Sequence, residues 1–186
     1  MLKTVKEFAV RWILPITLAV GLLIGILVGA ALARKACGCD CGCCDGDGCQ
    51  VFCGAVDATY DIDGQPITMK NGRHTLRIGD SGVQAVMTEI CYLPVCGKLD
   101  GIQSQAAAVL LSRQAGGGDM VYYVAAAYIA DGRVIGSNAV TLARNADITG
   151  VEIEDGMIWV SLRPCGGETV SLSQFAWKDG QLIRVG

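Results

Sequence analysis

No block of lysine or arginine occurs past residue 35, and the formal net charge is −3. The basic footprint of a nucleic-acid binder is therefore missing, which excludes DNA and RNA as partners. Charge of either sign is scarce, 18% of residues against 52% apolar, an unusual balance for a fully soluble chain. Histidine occurs once, as His74. There is no paired-carboxylate site, phosphate-cradling glycine loop or P-loop lysine, so the sequence offers no local catalytic constellation and a non-enzymatic role is expected. The 186 residues allow one ordinary domain plus an appendage, enough to bury a core.

Most of the apolar excess sits near the N-terminus. Ile13 to Ala33 reads ILPITLAVGLLIGILVGAALA without a charge, the length that crosses a hydrocarbon core as one helix. Pro15 falls in the first turn, where its missing N–H is tolerated, and Trp12 stands where interfacial aromatics gather. Ala31-Leu32-Ala33 fits a signal-cleavage pattern, but the run exceeds the usual length of about 7–15 residues, so a retained anchor is expected. Lys3, Lys6 and Arg11 before the run against Arg34 and Lys35 after it favour a cytoplasmic N-terminus. Within the run Thr17, Gly21, Gly25, Gly29 and Ala33 recur every fourth residue. That stripe is nearly bare backbone, suited to another transmembrane helix, from a second copy or another subunit.

Past residue 54 the pattern changes to period two with turn signals at short intervals, which predicts a mainly β domain over residues 55–186. Asp63-Gly64, Asp131-Gly132, Asp155-Gly156 and Asp179-Gly180 each lie between apolar segments and predict tight hairpins. Predicted strands are 56–62, 66–69, 74–78, 83–90, 106–112, 120–130, 133–143, 148–154, 157–163, 169–177 and 182–185. Gln103–Gln114 is alanine-rich enough to be helical instead. MVYYVAAAYIA, residues 120 to 130, is apolar on both faces and predicts a central strand covered from both sides. MIWVSLR alternates Ile158, Val160 and Leu162 against Met157, Trp159, Ser161 and Arg163, as a half-exposed strand does. The expected architecture is an antiparallel sandwich or partly closed barrel. Tyr122 and Trp159, with Tyr123 and Tyr128, are candidates for a ligand groove, although aromatics at strand spacing more commonly pack a core.

The run AAAVLLSRQAGGGDMVYYVAAAYIADGRVIGSNAVTLARNADITGVEIEDGMIWVSL, followed by VSLSQFAWKDGQLIRV, resembles an uncharacterised β-rich domain of bacterial secreted proteins and lipoproteins. The shared features are an alanine-valine strand, a glycine-rich turn, a tyrosine-containing strand, a hairpin and a closing strand pair, over roughly residues 65–186. The resemblance implies a fold and an exported location, and no reaction. Where such domains carry an acidic calcium-like loop, this chain has Gly97-Lys98-Leu99-Asp100-Gly101-Ile102-Gln103, with Asp100 as the one charged oxygen ligand. Calcium takes six to eight oxygens, so no metal is expected there. Gly79-Asp80-Ser81-Gly82 looks like the nucleophile string of trypsin-like proteases. That family assembles its triad from distant segments, whereas His74 lies close by in sequence, and a glycine-rich turn explains the string.

Ten cysteines remain. Cys37, Cys39, Cys41, Cys43, Cys44, Cys49 and Cys53 crowd residues 34–54, a Cys/Gly/Asp-rich linker between anchor and domain. Cys91, Cys96 and Cys165 lie in the domain itself. An exported, flexible, cysteine-dense segment favours disulfides, with no cofactor. The alternative is zinc or an iron–sulfur cluster on Cys41, Cys44, Cys49 and Cys53. Pairing within one chain then requires at least one staple between linker and domain. Cys91 with Cys96, and Cys165 with the linker, are the expected assignments.

The expected organisation is a cytoplasmic segment 1–12, a transmembrane helix 13–33, the linker 34–54 and the β domain 55–186 outside, in the periplasm or at the cell surface. The expected role is that of a non-catalytic accessory, scaffold or binding subunit of a membrane assembly. The alternatives are an envelope protein that holds a ligand in an aromatic groove, and a metal or redox protein built on the cysteine cluster.

Overall fold

A computed structural model describes residues 48–78 and 84–186. The expected anchor with its small-residue stripe, Cys37, Cys39, Cys41, Cys43 and Cys44, and Ser81 all lie outside the described residues. Among the described residues no helix is long and apolar enough to cross a membrane.

The described chain is mainly β. One helix, α1 (Gly48–Ala55), precedes β1 (Thr59–Ile62), β2 (Gln65–Thr68), β3 (Arg73–Ile78), β4 (Gln84–Ile90), β5 (Val95–Gly97) and β6 (Ala106–Ala115). After these come β7 (Val121–Ala130), β8 (Arg133–Gly136), β9 (Asn138–Arg144), β10 (Ala146–Glu154), β11 (Met157–Pro164), β12 (Ser171–Lys178) and β13 (Gln181–Arg184). Nine strands form one sheet in the order β2-β1-β9-β7-β6-β4-β3, with β5 on β6 and β8 on β7. β10 to β13 form a second, four-stranded meander.

All four Asp-Gly pairs turn where expected, each with both residues at positive φ, for example Asp131 at 51° and Gly132 at 72°. This is the backbone of the hairpin turn whose twist matches the flanking strands. A fifth turn of the same kind, Asn71-Gly72, joins β2 to β3 through paired Lys70 and Arg73 amides and carbonyls at 2.8 and 3.1 Å. Its consequence is architectural. β2 and β3 are the two ends of the nine-stranded order, so this hairpin brings the ends together and the sheet curls into a nearly closed barrel. The His74 ring adds a contact from Nδ1 to the Thr68 carbonyl at 3.0 Å. Further along, Leu76 and Ile78 of β3 are exposed.

Four expectations need correction. Residues 48–54, expected within a linker, belong to a helix: Val51 and Ala55, one turn apart, are fully buried in the barrel core beside Ala107 and Ala127. The helical alternative for the alanine-rich 103–114 segment fails from Ala106 onward, where β6 is a strand: β7 pairs it on one side, β5 and then β4 on the other, and these partners outweigh alanine's helix propensity. The sheet is not purely antiparallel, since Asp61 and Ile62 of β1 pair with Asn138 and Ala139 of β9 in parallel. The single strand expected over 133–143 also breaks, at Ser137. There the Ser137 hydroxyl accepts the Ala126 amide at 2.9 Å, standing in for a ladder carbonyl. The same peptide's carbonyl takes the Asp61 amide at 3.1 Å, so the break lets β1 enter the sheet. Gly136 makes room for it, since a Cβ there would lie 2.5 Å from the Thr59 carbonyl oxygen.

β6 and β7 are buried on both faces, as their composition predicts. Ala107, Val109, Leu111, Tyr123, Ala125 and Ala127 point into the barrel with Tyr60, Ile62 and Met69. Ala106, Ala108, Leu110, Val124 and Ala126 point the other way, against Ile158, Val160, Leu162, Phe175 and Leu182 of the meander. The alanines matter here: small side chains on a shared layer let both the barrel filling and the second sheet approach closely. Asn138 ties the two sheets at one border, its side-chain amide donating to the Leu182 carbonyl and accepting the Leu182 amide, both at 2.8 Å.

Candidate binding surfaces

The barrel interior is filled by side chains and by α1, and its Tyr60 hydroxyl donates to the Ala55 carbonyl at 2.7 Å. Near the β1–β2 turn, Asp63 accepts from the Tyr123 hydroxyl at 3.0 Å and pairs with Arg113 at 3.3 Å. Burial, helped by the Asp63 carboxylate, raises the Tyr123 phenol's pKa. This network latches the turn onto β6 and β7 rather than forming a site.

The meander differs, because among the described residues nothing packs on one of its faces. Ile158, Val160 and Leu162 alternate inward, so Met157, Trp159 and Ser161 project outward. Register extends the outward set across the sheet: Trp159 stands opposite Glu152 and Gln174, Ser161 opposite Leu172, and Ala176 opposite Ile183. Leu172 is 51% exposed, and Val170 and Val185 are exposed to a similar degree. The Trp159 indole donates to the Glu154 carbonyl at 3.3 Å, which holds the ring down over its own hairpin. The outer face is therefore an aromatic and aliphatic surface bordered by Glu152 and Glu154 on β10.

Tyr122 does not join it. It sits on the inner side, packed against the core shared by the two sheets, so the structure does not bring Tyr122 and Trp159 into a common groove. Its surroundings are polar. Ser112 is its register partner on β6, and Glu89 is Ser112's partner on β4. Burial raises the Tyr122 pKa, and Cys91, Cys165, Asp147 and Glu89 add to the rise through their negative forms. Cys91 and Cys165, expected to pair elsewhere, thus share one neighbourhood, and both carry free thiols in this structure. The Cys91 thiol turns toward the Leu110 carbonyl at 3.6 Å, and burial pushes it up to about 11. Burial also raises Cys96. Cys53 lies half-buried in α1. Among the described residues no group of three or more histidine, cysteine, aspartate or glutamate side chains is placed to hold a metal ion.

A recess that the sequence did not announce lies where the β5–β6 loop crosses the ends of β7 and β12. Gly101, Ile102, Gln103, Ser104, Tyr128, Ile129 and Trp177 line about 560 Å³. Tyr128 and Trp177 meet edge to face, ring centres 5.2 Å apart. The loop is anchored at each end: Leu99 is buried, the Asp100 amide donates to Gly156 at 3.0 Å, and the Ser104 hydroxyl donates to Ile129 at 2.9 Å. Gly101, at φ +86°, is required at the crossing, because a Cβ would stand 3.0 Å from Trp177 Cδ1. Asp100, the one acidic residue of the loop, is turned against the Gly156 turn and is absent from the lining. Compared with protein-family models, curated proteins and solved structures, the chain matches none of them.

Proposed function

We propose that this chain is a membrane-anchored extracytoplasmic accessory or scaffold subunit that acts by docking and not by catalysis. The observation that carries the reading is the outer face of the meander, on which nothing packs among the described residues. Trp159, Met157, Leu172, Ile183 and Val185 line one side of a sheet whose other side is a packed core. Apolar side chains gathered on one exposed sheet face in this way suit a protein partner, and aromatic residues such as Trp159 are the usual anchors. The anchor is supported by the uncharged run from Ile13 to Ala33. The exported address is supported by the resemblance to secreted β-rich domains.

The test is the size of the assembly in gently solubilised membranes. The parent chain should migrate as a complex larger than a single copy, and the double variant Trp159→Ser/Leu172→Ser should migrate as a lone, folded chain. A parent that already runs alone, or a double variant that runs with the parent, would remove the basis for the proposal. External protease on intact cells provides the separate check of address, since the domain should be digested and an anchor-sized fragment left behind.

A further inference from the structure

We infer that the Tyr128–Trp177 recess is a glycan site that takes a neutral hexopyranose unit of an envelope or surface polysaccharide. None of the seven lining residues is charged, so the recess supplies no opposite charge to a phosphate, a carboxylate or a cation. What it offers is mixed: two aromatic rings and two isoleucines beside the Gln103 amide, the Ser104 hydroxyl and the backbone of Gly101. A pyranose matches that mixture because one face of the ring presents C–H groups while its rim presents hydroxyls. The C–H face can lie on an indole or phenol ring, and the rim can hydrogen-bond to amides and hydroxyls.

Two further observations point to a ligand with polar groups rather than a purely apolar one. Among the described residues, neither the Tyr128 hydroxyl nor the Trp177 indole N–H has a hydrogen-bond partner, and neither is among the buried unpaired atoms, so both can serve an incoming hydroxyl. The Ser104 hydroxyl, in contrast, is spent on the Ile129 carbonyl and holds the wall in place. The recess is also pre-formed. Leu99, Asp100 and Ser104 fix the loop before any ligand arrives, which lowers the ordering cost of binding. At about 560 Å³ it falls within the usual range of ligand sites.

The site is separate from the meander's outer face. Trp177 pairs with Leu182 and packs against the shared core, whereas Trp159 points to the opposite side. Glycan binding and assembly can therefore fail independently.

Isothermal titration of the detergent-solubilised full chain tests the inference, with tetramers of β-1,4-linked glucose and of β-1,4-linked N-acetylglucosamine as the two probes. Binding of at least one tetramer is expected, with affinity on the order of millimolar or better. Trp177→Ala should weaken it by about tenfold or more, as loss of a central aromatic anchor does. Trp177→Phe, which keeps a ring, should retain most of it. Because Trp177 is partly buried, Gln103→Ala supplies the variant that leaves the core untouched, and it should weaken binding about fivefold. Trp159→Ser should leave binding unchanged. If neither tetramer binds, or if binding survives both Trp177→Ala and Gln103→Ala, the inference is wrong.

Discussion

The two sides of the β6–β7 layer use the same kind of strand for opposite ends. On one side the sheet curls, the Asn71-Gly72 hairpin joins its ends, and α1 occupies the interior with Val51 and Ala55. That side's interior is filled by side chains. On the other side the meander covers the layer with Ile158, Val160, Phe175 and Leu182, and among the described residues nothing covers its own outer face. Substitutions in the barrel interior should therefore act on stability, and on the proposed reading substitutions on the meander's outer face and at its border with the β5–β6 loop should act on binding.

The largest expected effect would come from Tyr60→Ala. Tyr60 is fully buried in the barrel and its hydroxyl is bonded to Ala55, so its truncation should cost about 3–5 kcal/mol. Because β6 and β7 serve both cores, chemical denaturation should still show one transition, with tryptophan signals from the meander lost along with the barrel. Two separated transitions would break the comparison by showing that the sides are independent. A smaller effect, about 1–3 kcal/mol, is expected for Asn138→Ala, which strips both hydrogen bonds from Leu182. Amide exchange at Leu182 should accelerate well beyond that at Trp177. For Trp159→Ser/Leu172→Ser the change in stability should be about 1 kcal/mol, since Leu172 is exposed and half-buried Trp159 loses one indole hydrogen bond. A large loss there would mean that the outer face is structural after all.

The smallest effect concerns pH. Burial moves the Cys91 thiol from its ordinary 9.0 up to about 11, so the fold favours the neutral form. Its contribution to stability is complete below pH 9, and it is lost as pH rises through about 11. Alkylation of Cys91 by iodoacetamide, followed by mass spectrometry, should accelerate most steeply near pH 11 rather than near 9. Cys91 as a residue is exposed, so a midpoint at the ordinary thiol value would mean that its sulfur is not desolvated by the fold.

The hairpins were legible because Asp-Gly pairs carry their own turn geometry, and the two-faced burial of β7 was legible because Tyr123, Val124 and the alanines leave no polar face. Asn71-Gly72 carried the same signal and would have revealed the link between β2 and β3 had it been read as a turn. Other features depended on partners. β5 has three residues and exists only because Ala106 to Ala108 pair with it. The helical face of Val51 and Ala55 was hidden by the cysteine and glycine composition around it. The Tyr128–Trp177 recess was out of reach for the same reason: the two rings meet only once the meander stacks on the barrel. Sequence reasoning could mark both as aromatic strand residues, but it could not say which sheets would face each other.

Asn138 also bears on how densely such a chain can be packed. It engages the N–H and the C=O of Leu182 on the side of β13 away from β12, the two groups that an incoming strand from a neighbouring molecule would need. At the far border of the same sheet, the register slip between Ile148 and Gly150 on β10 makes that margin irregular as well. Chains tethered side by side on one surface reach high local concentrations, and an open β margin under those conditions invites uncontrolled polymerisation. Here one margin is engaged at Leu182 by a single amide and the other is irregular between Ile148 and Gly150, so each margin of the meander is a poor template for strand addition, which suits the tethered arrangement proposed above.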